Sequence, residues 1–273
     1  MVGPDEMAAL LDLSRARKGY TMTRQGYLCA LYTFTLVMAV LCVVVHVLFG
    51  FKGDAAKKSA KTVKRVQKRL AWALSCFNSG LLTVLGLVYL YYQHQDTGLY
   101  PGKDVLQSKN NFSQLACLWF ALFNLTDLVF GSIYYPKEMD PLTAYVHHPL
   151  FIYIMIACSG AWGLDETGVL AFGAQPFSTA FCLVCIEELP TFILALGSMF
   201  PAFRSDMGFG VSFFILRIVY HFFIMARGII VKVHPIQTAM YGLTFIMHIF
   251  WWYGWVTGMK KKKAEGGKGE KEN

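Results

Sequence analysis

Seven ionisable residues stand where the surrounding sequence is apolar: Asp127, His147, His148, Glu187, Glu188, Arg217 and His221. Asp127 interrupts the run NFSQLACLWFALFNLTDLVFGSIYY, where an unpaired carboxylate at membrane depth costs on the order of 2.5–3.5 kcal/mol. His147 and His148 open the next apolar run, VHHPLFIYIMIA, after the short charged loop PKEMDPLTAY. A histidine that titrates near neutrality can take a proton from an amine or hydroxyl nucleophile and return it to a leaving group. A buried carboxylate can orient that imidazole and stabilise its charged form, and an arginine can hold an anionic head or a phosphate. His147, His148 and Asp127 are therefore the candidate catalytic residues. Glu187, Glu188, Arg217 and His221 are the candidate substrate-binding residues.

The same residues admit plainer roles. Asp127 and Arg217 fall at similar depth, about 12 Å from one membrane face at 1.5 Å per residue, so they could form a structural ion pair. Neighbouring helical positions differ by about 100°, so only one of Glu187 and Glu188 is expected to face inward. Pro190 lacks an N–H and frees a carbonyl near Glu187 for a polar neighbour. Arg217 and His221 lie one turn apart on one face. His46, His94, His234 and His248 read as structural or surface residues. Asn78 and Asn124 read as partners in interhelical hydrogen bonds. Asp127, His147 and His148 lack a helical HxxxH pair, so neither a metal nor a bound cofactor is expected. The seven cysteines all fall in apolar runs and read as small packing residues.

These residues need elements to hold them, and the composition says which. The chain has 273 residues, 55% hydrophobic and 15% charged, with a net charge of +8. Several near-uncharged runs of about twenty residues are each long enough to cross a bilayer. The expected fold is all-α, a polytopic membrane protein with seven spans near 27–51, 70–92, 112–135, 146–164, 169–200, 209–231 and 236–258. The fifth is too long for one straight helix and carries Pro176 and Pro190, so a kink or tilted lead-in is expected.

Charge sets the orientation. The stretch FKGDAAKKSAKTVKRVQKRL between the first two spans carries eight basic residues and one acid, and KKKKAEGGKGEKEN carries six lysines. Both read as cytosolic by the positive-inside rule, which places the N-terminus on the lumenal side. Because these basic blocks flank spans, the expected partner is membrane lipid, with no nucleic acid. Residues 1–26 have no apolar core and are read as a polar lumenal segment, with the first span itself as targeting signal. Residues 259–273 are read as a disordered basic tail. The sequon Asn111-Phe112-Ser113 abuts the third span and is expected to be unused. In this topology Asp127, the histidine pair, the glutamates, Arg217 and His221 fall on four consecutive spans in one half of the bilayer. Three function classes fit that arrangement: acyl transfer onto a lipid, non-catalytic lipid binding or transfer, and proton-coupled transport.

Asp127, VHH at the head of the next span, EELPT at 187–191 and the arginine of FFILRIVYHFF together resemble the TLC-domain family, which includes the ceramide synthases. The resemblance spans most of the chain. It implies one leading helix, 27–51, before a six-helix membrane domain at 70–258 that encloses a tapered cavity. It also implies His147 and His148 at the catalytic position, acyl-CoA as co-substrate, and residence in the endoplasmic reticulum or another endomembrane. The chain departs from ceramide synthases after the histidine pair. There PLFIYIMIACSGAWGLDE stands in place of a polar motif with a further histidine and paired aspartates. It is closer in this respect to the smaller TLC-domain proteins.

Overall fold

The structure is a computed structural model that describes residues 24–49, 60–159 and 177–269. The described residues are predominantly helical, with no strand among them. Ten α-helices follow in order: α1 Arg24–Phe49, α2 Ala60–Thr97, α3 Lys103–Leu106, α4 Asn111–Tyr134, α5 His148–Ser159, α6 Ser178–Val184, α7 Leu189–Met199, α8 Asp206–Phe213, α9 His221–Ile230 and α10 Pro235–Gly269. Short irregular turns join several of them into longer rods. A π-helical turn, Thr143–His147, leads into α5. A 3-10 turn, Cys185–Glu188, joins α6 to α7, and a π-helical turn, Phe214–Tyr220, joins α8 to α9.

Five stretches are long and apolar enough to cross a membrane: Leu28–Phe49, Thr62–Asp96, Asn111–Tyr134, Ser178–Met199 and Asp206–Ile230. They are compatible with an integral membrane protein. Large apolar side chains also lie on the outside, among them Leu36, Val43, Val84, Ile133, Val219 and Ile246. A soluble domain keeps contiguous apolar surface small, whereas lipid accepts it. The other two expected spans are present only as helix. The described part of 146–164 is the π turn plus α5, and 160–164 lie outside the described residues. Residues 236–258 form most of α10, which is less apolar because Gln237, His248, Trp251, Trp252 and Trp255 interrupt it.

Several boundaries move from their expected places. The second helix starts at Ala60 rather than 70, so half of the basic linker is its opening turns. Lys and Arg are good helix formers and nothing in 60–69 breaks the helix. The tail expected to be disordered from 259 continues α10 through Gly269 for the same reason, since KKKKAE extends a helix already nucleated by the preceding span. The expected lumenal segment falls largely on 1–23, and the lead-in to the fifth span, with Pro176, on 160–176; both lie outside the described residues. The break at Pro190 is present as the 3-10 turn immediately before α7.

The core lies between α2, α4, α5, α6 and α7, around Leu82, Cys117, Phe120, Cys158 and Cys182. All seven cysteines are free thiols, and four of them are buried in packing positions. Gly86 on α2 lets that helix touch the main chain of the 3-10 turn at Cys185 and Ile186. At the opposite end from the ionisable cluster, the first turn of α4 is held by a capping box. Asn110 accepts from the Ser113 N–H, and the Ser113 hydroxyl accepts from the Asn110 N–H. The buried Ser113 hydroxyl also pairs with Ser178 at 2.7 Å, so the sequon's serine is engaged in the helix cap and in packing. Asn78 makes the interhelical bond expected of it, accepting from Trp119 Nε1 at 3.0 Å. Asn124 instead donates within its own helix to the Phe120 carbonyl at 2.7 Å.

Candidate functional site

All the ionisable residues except Asp127 lie in, or immediately after, three irregular turns. His147 ends one π turn and His148 follows it; Arg217 lies in the other π turn and His221 follows that. Glu187 and Glu188 end the 3-10 turn. Such turns cost regular hydrogen bonding and are frequent at functional sites. Here each one replaces a stretch of α-helix where a polar side chain must point inward.

One cluster surrounds Asp127. The carboxylate is buried on α4 and accepts from the Tyr135 hydroxyl at 2.7 Å. Its other oxygen lies 3.6 Å from His148 Nε2, an ion-pair distance longer than a hydrogen bond. Nδ1 of both His147 and His148 is buried and has no hydrogen-bond partner. The His147 ring packs on Phe151 at 4.2 Å and edge-on to Trp251 at 5.2 Å between centroids.

The second cluster surrounds the glutamates. Arg217 Nη2 donates to Glu188 Oε1 at 3.0 Å and to Thr191 Oγ1 at 2.7 Å, while Nε donates to the Glu187 carbonyl at 2.8 Å. Arg217 therefore pairs with Glu188, and the alternative pairing with Asp127 does not form. The expectation that one glutamate alone faces inward also fails. A 3-10 turn separates neighbours by about 120°, and this one is enclosed on both sides, so Glu188 meets Arg217 while Glu187 meets His221. His221 Nδ1 lies 2.9 Å from Glu187 Oε2, and His221 Nε2 lies 3.0 Å from the Tyr241 carbonyl.

His248 belongs to this cluster as well, although its sequence context suggested a structural or surface residue. It is buried, with Nδ1 3.0 Å from the Arg217 carbonyl and 3.9 Å from Glu187 Oε2. Tyr135, Tyr241 and Trp251 were missed too. The available signal for His248 was its place inside an apolar run on the last span, the feature that singled out Asp127.

Two cavities meet at these clusters. The larger, about 520 Å³, is lined by Asp127, Tyr135, His147, His148, Glu188, Thr191 and Arg217 together with Phe120, Phe213 and Trp251. It extends to exposed polar residues, Asp140 and Arg204, which lie in the segments after α4 and α7. The smaller, about 70 Å³, is mostly apolar and is bordered by Glu187, His221, His248 and Tyr241. His147, Glu188 and Arg217 stand in the wall between them, since they line both. The seven expected site residues are thus brought together but divided. Asp127, His148, His147, Glu188 and Arg217 border the large cavity, whereas Glu187 and His221 border only the small one.

The described residues define an all-α fold with membrane-compatible helices around an amphipathic cavity equipped with an acid, two histidines and a clamped arginine. No protein-family model, curated protein or solved structure matches the chain.

Proposed function

We propose that this chain is a seven-span, TLC-like integral membrane protein of lipid metabolism that transfers an acyl group from acyl-CoA to a lipid amine or hydroxyl. The observation that carries the reading is the pair of imidazoles on the wall of a 520 Å³ cavity beside Asp127. In this reading His148 or His147 takes the proton of the acceptor as its nitrogen or oxygen attacks the thioester carbonyl. The C–S bond then breaks, and the same imidazole returns the proton to the departing thiolate. Asp127, held by Tyr135, stabilises the imidazolium. Arg217 uses Nε and Nη2 on protein partners, which leaves Nη1 for a headgroup or carbonyl oxygen. The cavity's polar end, near Asp140 and Arg204, is the entrance for the water-soluble donor. The positive-inside pattern supports a cytosolic position for that end and a lumenal N-terminus, and the family resemblance alone supports residence in the endoplasmic reticulum or another endomembrane.

The 3.6 Å gap between His148 and Asp127 favours a second reading, a non-catalytic lipid-binding or transfer protein that uses the same cavity. The deciding experiment incubates the purified full-length chain with radiolabelled acyl-CoA and mixed lipid acceptors, beside a His147→Ala/His148→Ala double variant. Acylated lipid from the wild type alone supports transfer. Equal lipid co-purification with both proteins and no acylated product overturns transfer in favour of binding.

A further inference from the structure

The second reading of the buried cluster concerns a cation. Glu187, His221 and His248 are all buried, come from three separate elements, and each offers one ligand atom within 4.8 Å of the others. We propose that this trio binds one divalent transition-metal ion, with zinc as the best match.

Donor chemistry supports the choice. Two imidazoles and one carboxylate form a set that zinc accepts, with bonds of about 2.0–2.2 Å and a fourth position left for water. The surroundings resemble those that orient metal ligands. His221 Nε2 lies 3.0 Å from the Tyr241 carbonyl; His248 Nδ1 lies 3.9 Å from Glu187 Oε2 and 3.0 Å from the Arg217 carbonyl, so ligation through Nδ1 replaces that hydrogen bond. A histidine that donates one ring N–H to a main-chain carbonyl has its tautomer fixed and presents the other nitrogen as a lone pair. On His221 that other nitrogen is Nδ1, set 2.9 Å from a carboxylate oxygen of Glu187. A lone pair facing a carboxylate at that distance is repulsive unless a positive charge lies between them, and the charge is either a proton or a metal ion.

The local charge count leaves room for the ion. Arg217 is matched by Glu188, so Glu187 has no cation of its own once both histidines are neutral. A divalent ion carrying one hydroxide would bring the trio to neutrality, and zinc-bound water ionises near neutral pH. The adjoining cavity of about 70 Å³, bordered by all three residues, can hold that water. Tetrahedral zinc holds its ligand atoms about 3.3 Å apart. Gathering atoms that lie within 4.8 Å therefore needs only side-chain adjustments.

This site stands apart from the Asp127–His148 pair and does not depend on acyl transfer. The test uses the full-length protein in detergent, purified without chelator, loaded with zinc and dialysed, then analysed for metal per chain. Cobalt(II) is added to a second sample as a spectroscopic probe. The expected result is close to one zinc per chain and visible cobalt bands of tetrahedral intensity. Both should fall at least tenfold in His248→Gln and Glu187→Gln. Stoichiometry below a tenth in the wild type overturns the proposal and assigns the positive charge to a proton on His221. Retention of zinc by both variants at the wild-type level overturns it equally. The wild-type measurements stand even if a variant does not fold.

Discussion

Replacing Gly86 by alanine tests how the site is held. A Cβ at this position would collide with the Ile186 main-chain nitrogen and lie 2.8 Å from the Cys185 carbonyl carbon and the Ile186 Cα. These are backbone atoms of the turn that presents Glu187 and Glu188, so no side chain can rotate away. The helix gains about 1 kcal/mol from losing a glycine, against about 1–3 kcal/mol for inserting a methyl group into a packed contact. The expected net loss is ~1–2 kcal/mol, because a rigid main chain puts the clash at the upper end. For a chain of this size that lowers the apparent Tm by roughly 2–8 °C, measured by thermal shift on the detergent-solubilised protein. Gly242→Ala is the internal control. Nothing lies within 4 Å of its added Cβ, so it should be neutral or stabilising by up to about 1 kcal/mol. A Gly86→Ala protein as stable as wild type would refute the close approach of α2 to the 3-10 turn.

Two further substitutions probe the polar pairs. Arg217→Met leaves the partly buried Glu188 without its cation and should destabilise by about 1.5–3 kcal/mol; adding Glu188→Gln should recover most of that loss, and a double variant less stable than the single one would refute the pairing. Tyr135→Phe removes the donor to Asp127 and should cost about 1–2 kcal/mol. In a double-mutant cycle with Asp127→Asn the two losses should be far from additive, and additivity would show that the 2.7 Å bond contributes little.

Much of the frame was legible in the chain. Uncharged runs of bilayer length and Pro190 are local signals, because helix formation and termination depend on neighbours a turn away. The candidate residues were legible for a related reason: an ionisable group in an apolar run is expensive and needs a partner, whatever the fold. Boundaries were read less well. Hydropathy marks where a helix is apolar, not where it ends, so α2 and α10 continue into their basic flanks at Ala60 and Gly269.

What sequence could not decide was partnership. Depth alone left Arg217 equally able to meet Asp127 or a glutamate, because depth fixes one coordinate and leaves rotation about the helix axis open. The two π turns and the 3-10 turn set that rotation. They send Arg217 to Glu188, His221 to Glu187, and His148 to Asp127. His248 shows the same limit most clearly. It is 27 positions from His221 in the chain, and only the packing of α10 against α9 brings its ring within 4.9 Å of that imidazole. The sequence by itself determined that polar groups must be buried together in an apolar helical chain, since their desolvation demands it. Which groups meet, and that they form two sites divided by Arg217, was decided by tertiary packing, because contacts between helices depend on rotation and irregular turns that no local pattern encodes.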